Sequence, residues 1–219
     1  MKKLICVVIA LALLLSLAAC GAGEEAASNA PSTAPAAGDP TVSGAPQAVT
    51  VTDMIGRQVE IIPGSYSRVV CIGAGALRMY SYIGDVSALA GVEDIDNESL
   101  AERPKMFDSV ARPYVLAYGD VFAALPSCGV GGPMAQTAEA EKILSCDPDI
   151  VISEYEDTDK ANALQEQLGV PVITLKAGAG GVFDEAFYGS MDLLGTVFGK
   201  EEKAETLIQY VQDQSAEII

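Results

Sequence analysis

The chain reads as short apolar runs alternating with segments of helical spacing. Val69 to Ile72, Ala88 to Val92, Ile150 to Ile152 and Val172 to Leu175 are rich in β-branched residues and bounded by Gly, Pro or Asp, as expected of strands covered on both faces. Between them, residues 76 to 83, 137 to 146 and 158 to 168 carry apolar positions at helical intervals. The punctuation agrees with this reading. In "CDPDIVIS" Pro148 disfavours a helix through Asp147, and in "LGVPVITL" Gly169 and Pro171 do the same before the next strand. Ahead of this series, "VTVTDMIGRQVEII" alternates around a Gly-Arg turn and predicts a β-hairpin. The expected fold class is α/β, with a mainly parallel central sheet flanked by helices.

After residue 182 the period changes. Phe183, Phe187, Met191, Leu194 and Phe198 form one helical stripe ended by Gly199, and Ala204, Leu207, Ile208, Val211 and Ile218 form another. The second helix runs to the end of the sequence with neither a cap nor a glycine, which leads us to expect further chain beyond it.

The N-terminus has a different composition. Met1-Lys2-Lys3 followed by the apolar run Leu4 to Leu15 has the layout of a secretory signal and is too short to span a bilayer comfortably. Its last residues, Leu17-Ala18-Ala19-Cys20, resemble the lipobox of bacterial lipoproteins, which implies that Cys20 is lipidated and begins the mature chain. Residues 21 to 48 are mostly Gly, Ala, Ser, Thr and Pro. They hold too little bulky apolar surface to offset ordering entropy and read as a disordered tether reaching about 30 Å.

Charge and composition narrow the function. The formal net charge of −17 argues against a nucleic-acid partner, because phosphates would be repelled, although acidity alone also serves solubility. The sequence contains no histidine, which removes Ser-His-Asp and Cys-His arrangements and histidine-based zinc or haem ligation. Neither GxSxG, a Walker A loop nor HExxH occurs. Of the five cysteines, Cys6 lies in the signal and Cys20 at the lipid position. Cys71, Cys128 and Cys146 remain, without CxxC spacing, so neither a disulfide framework nor a metal site is expected. Cys71 reads as a small core residue.

One motif invites a nucleotide reading. Gly73-Ala74-Gly75 could open a GxGxxG turn, but Arg78 stands where the third glycine belongs, and a secreted protein has no nucleotide pool to draw on; no cofactor is expected. Small residues here also simply permit a tight turn and close strand-helix contact. A helix N-terminus at this place could still attract an anionic ligand.

In open parallel sheets, ligands lie at the carboxyl ends of the strands. That rule gathers Gly73 to Arg78, Glu93 to Asp96, "GVGGPM" at 129 to 134, and Glu154 to Glu156 at one rim. The candidate ligand-binding residues are Ala74, Gly75, Arg78, Asp94, Asp96, Gly132, Pro133, Met134, Glu154 and Tyr155, with Arg78 offering a cation and Tyr155 an aromatic face to a bulky anionic chelate. Taken singly, each also fits an ordinary exposed loop residue.

"VTDMIGRQVEII", "SRVVCIGAGALRMYSYIGDVSALAGVED", "EAEKILSCDPDIVIS", "LGVPVITL" and "LGTVFGKEEKAETLIQYV", in this order behind a lipobox, resemble the substrate-binding lipoproteins of ABC importers for iron-siderophore, haem and cobalamin. "RPYVLAYGDVF", residues 112 to 122, is similar to a subgroup described as iron-chelate binders. The resemblance runs from Val49 to the end. It implies two α/β lobes joined by a stiff helix with the ligand between them: here an N-terminal lobe at 49 to 182, then a helical segment at 183 to 219 that starts the inter-lobe helix, the C-terminal lobe being absent from this sequence. It further implies an ABC permease as partner, a metal chelate as cargo, and a location at the cell surface or in the periplasm, with membrane attachment through Cys20. Glu141 of "EAEKIL" matches the glutamate that docks onto permease arginines in this family. Histidine and tryptophan, which some relatives place at the ligand, are absent, so the ligand class stays open. The expected role is not enzymatic; a surface-anchored α/β enzyme or an adhesion lipoprotein with a strand-end cleft is the alternative.

Overall fold

A computed structural model describes residues 47–132, 135, 137–177 and 183–218. The expected signal segment, Cys20, Pro133, Met134 and nearly all of the segment read as a tether lie outside them.

The chain enters through a hairpin, β1 (Val49–Thr52) and β2 (Gln58–Ile61), paired antiparallel with Val49 opposite Ile61. Its turn is built by one carboxylate. Asp53 Oδ1 accepts the N–H groups of Ile55 and Arg57 at 3.2 and 2.9 Å, while Oδ2 pairs with Arg57 Nη2 at 2.8 Å. The Arg57 guanidinium also donates to Val172 O and Asn162 Oδ1, which fastens the hairpin to the last strand of the main sheet. Both members of this pair are buried, so the pairing keeps an otherwise costly buried charge satisfied.

The main sheet contains β3 (Val69–Ile72), β4 (Leu89–Glu93), β5 (Ser127–Gly129), β6 (Ile150–Ser153) and β7 (Val172–Thr174) in the order β5-β4-β3-β6-β7, every pair parallel. Alternate residues face opposite layers. Val69, Cys71, Ile150, Ile152 and Ile173 join one apolar cluster with α1 (Ala76–Ile83), α5 (Glu185–Phe198) and the hairpin. Val70, Ile72, Val151 and Val172 join a second cluster with Ile143 of α3 (Ala140–Ser145) and with Leu164 and Leu168 of α4 (Thr158–Leu168). A sheet covered on both faces accounts for strands that are buried along their whole length, β3, β4, β6 and β7. α6 (Glu201–Ile218) packs along α5, with Ala204 and Val211 buried. Among the described residues, no helix is long and apolar enough to cross a membrane.

The hairpin, four of the strands and the helices at 76–83 and 158–168 fall where the sequence pattern places them; α3 is shorter than expected. Two elements carry no usable pattern. β5 is three residues, Ser127 to Gly129, directly after Pro126, too short to alternate. α2 (Pro113–Ala123) is apolar nearly all round, so no stripe marks it, and Tyr118 breaks its helical geometry at φ −127° and ψ 15°. Cys71, Cys128 and Cys146 are free and buried.

Candidate functional site

β3 starts the chain order and the next strands lie first on one side of it (β4, β5) and then on the other (β6, β7), so the connections diverge at the carboxyl end of β3. Such a switch point is where an open α/β sheet leaves a crevice. The turn there requires glycine twice, Gly73 at φ +90° and Gly75 at φ +114°. Space demands it as well. A Cβ on Gly75 would lie 2.9 Å from Glu154 Oε2, and one on Gly73 would lie 3.2 Å from Glu154 Cβ. Glu154, from the end of β6, therefore fills the β3/β6 side of the crevice.

The open hollow lies on the β4 side. It has a volume of about 230 Å³ and is lined by the turn residues Gly73, Ala74, Gly75 and Arg78, by Glu93, Ile95 and Asp96 after β4, by Phe107, Arg112 and Tyr114, and by Gly132. Its polar wall is a linked set. Asp96 Oδ1 accepts from Arg112 Nη1 at 2.6 Å and from Tyr114 Oη at 2.7 Å. Arg112 also donates to Ile95 O at 3.0 Å and to Glu98 Oε1 at 2.9 Å. Burial outweighs these partners and holds the Asp96 carboxyl above its ordinary range. Glu93 is 5% exposed, and the Gly73 N–H donates to its Oε1 at 3.1 Å.

Both glutamates flanking the turn hold their protons unusually well. Burial lifts Glu93 to about 7, against the pull of the Gly73 N–H and with the help of Asp96, Asp94 and Glu139. Glu154 is likewise raised to about 7 by burial, with Arg78 pulling the other way, and its Oε2 is buried without a hydrogen-bond partner among the described residues. The two shifts run in the same direction, whereas a general acid and base need their pKa values pushed apart.

Ala74, Gly75, Arg78, Asp96 and Gly132 of the ten candidates line this one hollow. Glu154 sits directly behind its glycine turn. Asp94 does not line it; its Oδ1 is buried and unpartnered among the described residues. Tyr155 belongs to a separate hollow of about 170 Å³ between α3 and α4, with Ser153, Thr137, Lys160 and Leu164. Arg78 and Tyr155 are thus not brought together, and the aromatic residues that line the hollow with Arg78 are Phe107 and Tyr114. Pro133 and Met134 are outside the described residues. Glu141 is exposed in the first turn of α3. Among the described residues, no group of three or more His, Cys, Asp or Glu side chains is arranged to hold a metal ion.

Sequence reasoning did not single out Glu93, Ile95, Phe107, Arg112 or Tyr114. Glu93 lay within a segment assigned to the rim, and "RPY" at 112 to 114 stands out as a cation and an aromatic at a helix start. Their meeting with Asp96 is a tertiary event that spacing does not announce.

An open parallel sheet with a polar and aromatic hollow at its switch point is the arrangement in which α/β domains hold ligands. Residues 69–218 match the family described as periplasmic binding protein, and the chain belongs to that family. No curated protein matches it. Solved structures with the same fold include the petrobactin-binding protein YclQ from Bacillus subtilis, at 18% identity and TM-score 0.55 over 78% of this chain and 52% of that one. The catecholate-siderophore binding protein VctP from Vibrio cholerae gives 22% identity and TM-score 0.54 over 78% of this chain and 53% of that one. The molybdate-binding protein MolA of Haemophilus influenzae gives 16% identity and TM-score 0.54 over 74% of this chain and 49% of that one. The chain spans about half the length of these proteins. The family and these neighbours are binding proteins by their descriptions, and MolA is described as the cognate binding protein of an ABC transporter.

Proposed function

We propose that this chain is the receptor lobe of a lipid-anchored substrate-binding protein that captures an iron chelate, or a related haem or cobalamin complex, and delivers it to an ABC permease. The observation that carries the proposal is the hollow between the glycine turn and the Asp96–Arg112–Tyr114 set, with Phe107 on its wall. It combines aromatic surface with a few convergent polar groups, the make-up of a small-molecule site. Its volume of about 230 Å³ is below the ~300–1,000 Å³ of sites that enclose a drug-sized ligand, so it acts as one wall of a larger site. A second lobe reached through α6 supplies the facing wall, and closure of the lobes gives the affinity. In this reading residues 49–182 form the first lobe, Cys20 holds the protein at the membrane, the tether gives it reach, and Glu141 meets an arginine of the permease through a charge-assisted pair.

The test is a tyrosine-fluorescence titration of the full-length mature protein against ferric siderophores, haem and cobalamin, with Tyr114 as the reporter nearest the site. Saturable binding of at least one class at micromolar concentration or below is expected. Absence of binding to every class overturns the reading.

A further inference from the structure

Two of the three buried cysteines meet over a glycine. Gly91 of β4 has no side chain, and the point where its Cβ would stand lies 2.5 Å from Cys146 Sγ, 3.2 Å from Cys146 Cβ and 3.2 Å from Cys128 Cβ. The two Cβ atoms are therefore at most about 6.4 Å apart, twice that 3.2 Å, beside the ~3.5–4.5 Å of a formed disulfide. Cys128 stands on β5, yet its Sγ lies 4.0 Å from Cys71 O on β3, so its thiol reaches across β4 where Gly91 leaves room. Cys146, at the end of α3, sets its Sγ 3.8 Å from Ser127 O, next to Cys128 in the chain. Both side chains belong to the apolar cluster on the α3 and α4 face of the sheet, whereas Cys71 belongs to the cluster on the other face. The fold thus singles out one pair, although 18 positions separate its members in the sequence. Glycine inside a strand weakens it, and here its place is given over to these two side chains.

We infer that Cys128 and Cys146 are a disulfide site, oxidised as the chain folds in an oxidising compartment, and that the bond ties β5 to the end of α3. The segment between them carries Gly132 of the hollow's lining, Glu139, which holds the Val130 N–H and Lys142, and the exposed Glu141. Oxidation fastens both ends of that segment at once. The inference takes its oxidant from the exported location in the receptor reading above, and its geometry from the structure alone.

The oxidant is a disulfide donor of the compartment, RS–SR, either a small molecule or an oxidoreductase. One cysteine thiolate attacks it, forming a mixed disulfide and releasing RS⁻. The other attacks the cysteine sulfur of that mixed disulfide, forming the bond and releasing a second RS⁻. Two electrons pass to the donor, and the two cysteine protons end on the two released thiols. Cys128 and Cys146 are 1% and 2% exposed, and burial raises both thiols above their ordinary value, so the folded chain offers few thiolates. Exchange therefore belongs to folding, and the finished bond is shielded from reductants until the chain opens.

The experiment uses the full-length mature protein with Cys20→Ser, which takes the lipidation position out of the chemistry. The reduced, urea-unfolded chain is refolded either with oxidised and reduced glutathione or with reduced glutathione alone. Remaining thiols are alkylated under denaturing conditions, and the tryptic peptides are read by mass. Trypsin puts Cys71, Cys128 and Cys146 on separate peptides, 69–78, 106–142 and 143–160. Oxidising refolding should link 106–142 to 143–160 and leave Cys71 alkylated. The oxidised form should melt about 6–12 °C above the reduced one, a difference that Cys146→Ala abolishes, and amide exchange in α3 should slow on oxidation. Alkylation of both Cys128 and Cys146 after oxidising refolding, or a link through Cys71, overturns the inference. A link formed on refolding but missing from chain recovered from exporting cells leaves the site standing and overturns the exported location.

Discussion

Replacing Glu93 by Gln should stabilise the protein, and by an amount that grows with pH. The carboxyl is 5% exposed, and burial lifts it from the usual 4.5 to about 7. In the unfolded chain it titrates near its ordinary value, so between about 4.5 and 7 the unfolded state ionises while the folded state stays protonated. A group whose folded pKa is raised stabilises the fold fully below the unfolded pKa, and that contribution is lost as pH rises through the folded pKa. At about 1.4 kcal/mol per pH unit the loss reaches about 3 kcal/mol, since the separation runs from 4.5 to about 7. Glutamine keeps an oxygen for the Gly73 N–H and does not titrate. Urea unfolding of wild type and Glu93→Gln at pH 4.5, 6, 7 and 8 should give nearly equal stabilities at the lowest pH. By pH 7 to 8 the variant should lead by up to about 3 kcal/mol. A lead that is constant across this range, or larger in acid, would refute the assignment of Glu93 as a buried carboxylic acid at neutral pH.

Two further outcomes test other parts of the structure. Gly91 in β4 has no room for a side chain, since a Cβ would lie 2.5 Å from Cys146 Sγ and 3.2 Å from Cys128 Cβ. Gly91→Ala should cost about 1–3 kcal/mol of overpacking in denaturant unfolding, and most of that cost should vanish in a Cys146→Ala background; equal costs in both backgrounds would contradict the packing described. Glu141→Lys in the full-length protein should reduce cellular uptake of the chelate while leaving its affinity for the purified receptor intact, because the side chain is exposed on α3 and does not line the hollow. Unchanged uptake would remove its docking role.

The fold was legible because local signals and burial agree. Val69 to Ile72 and Ile150 to Ser153 are buried at every position since helices cover both faces of the sheet, and Gly169, at φ +69°, closes α4 as a left-handed cap. α2 was not legible. "PYVLAYGDVFA" has apolar residues on all sides, yet only Val115 and Phe122 are buried while Leu116 is 75% exposed, so no periodicity separates an inner from an outer face. The family resemblance, by contrast, was carried by the order of several ordinary segments, each of which a generic α/β domain could contain.

The glycine turn shows why the site was only partly legible. "GAG" before a helix is a sound signal for a strand-turn-helix crossing, and both glycines take positive φ as that signal implies. The usual inference from it, that backbone N–H groups await a phosphate, depends on what stands opposite the turn. Here the residues opposite are Glu93, 20 positions away and bonded to the Gly73 N–H, and Glu154, packed on Gly75. A turn tight enough to receive a phosphate is also tight enough to receive a carboxylate from a neighbouring strand, and spacing along the chain cannot distinguish the two. What separates them is the register of β3 against β6, which pairs Ile72 with Ser153 and so delivers Glu154 to the turn. The same geometry sets two raised-pKa carboxyls against the glycine turn, and the open part of the crevice lies on the β4 side, where Arg112 and Tyr114 meet Asp96.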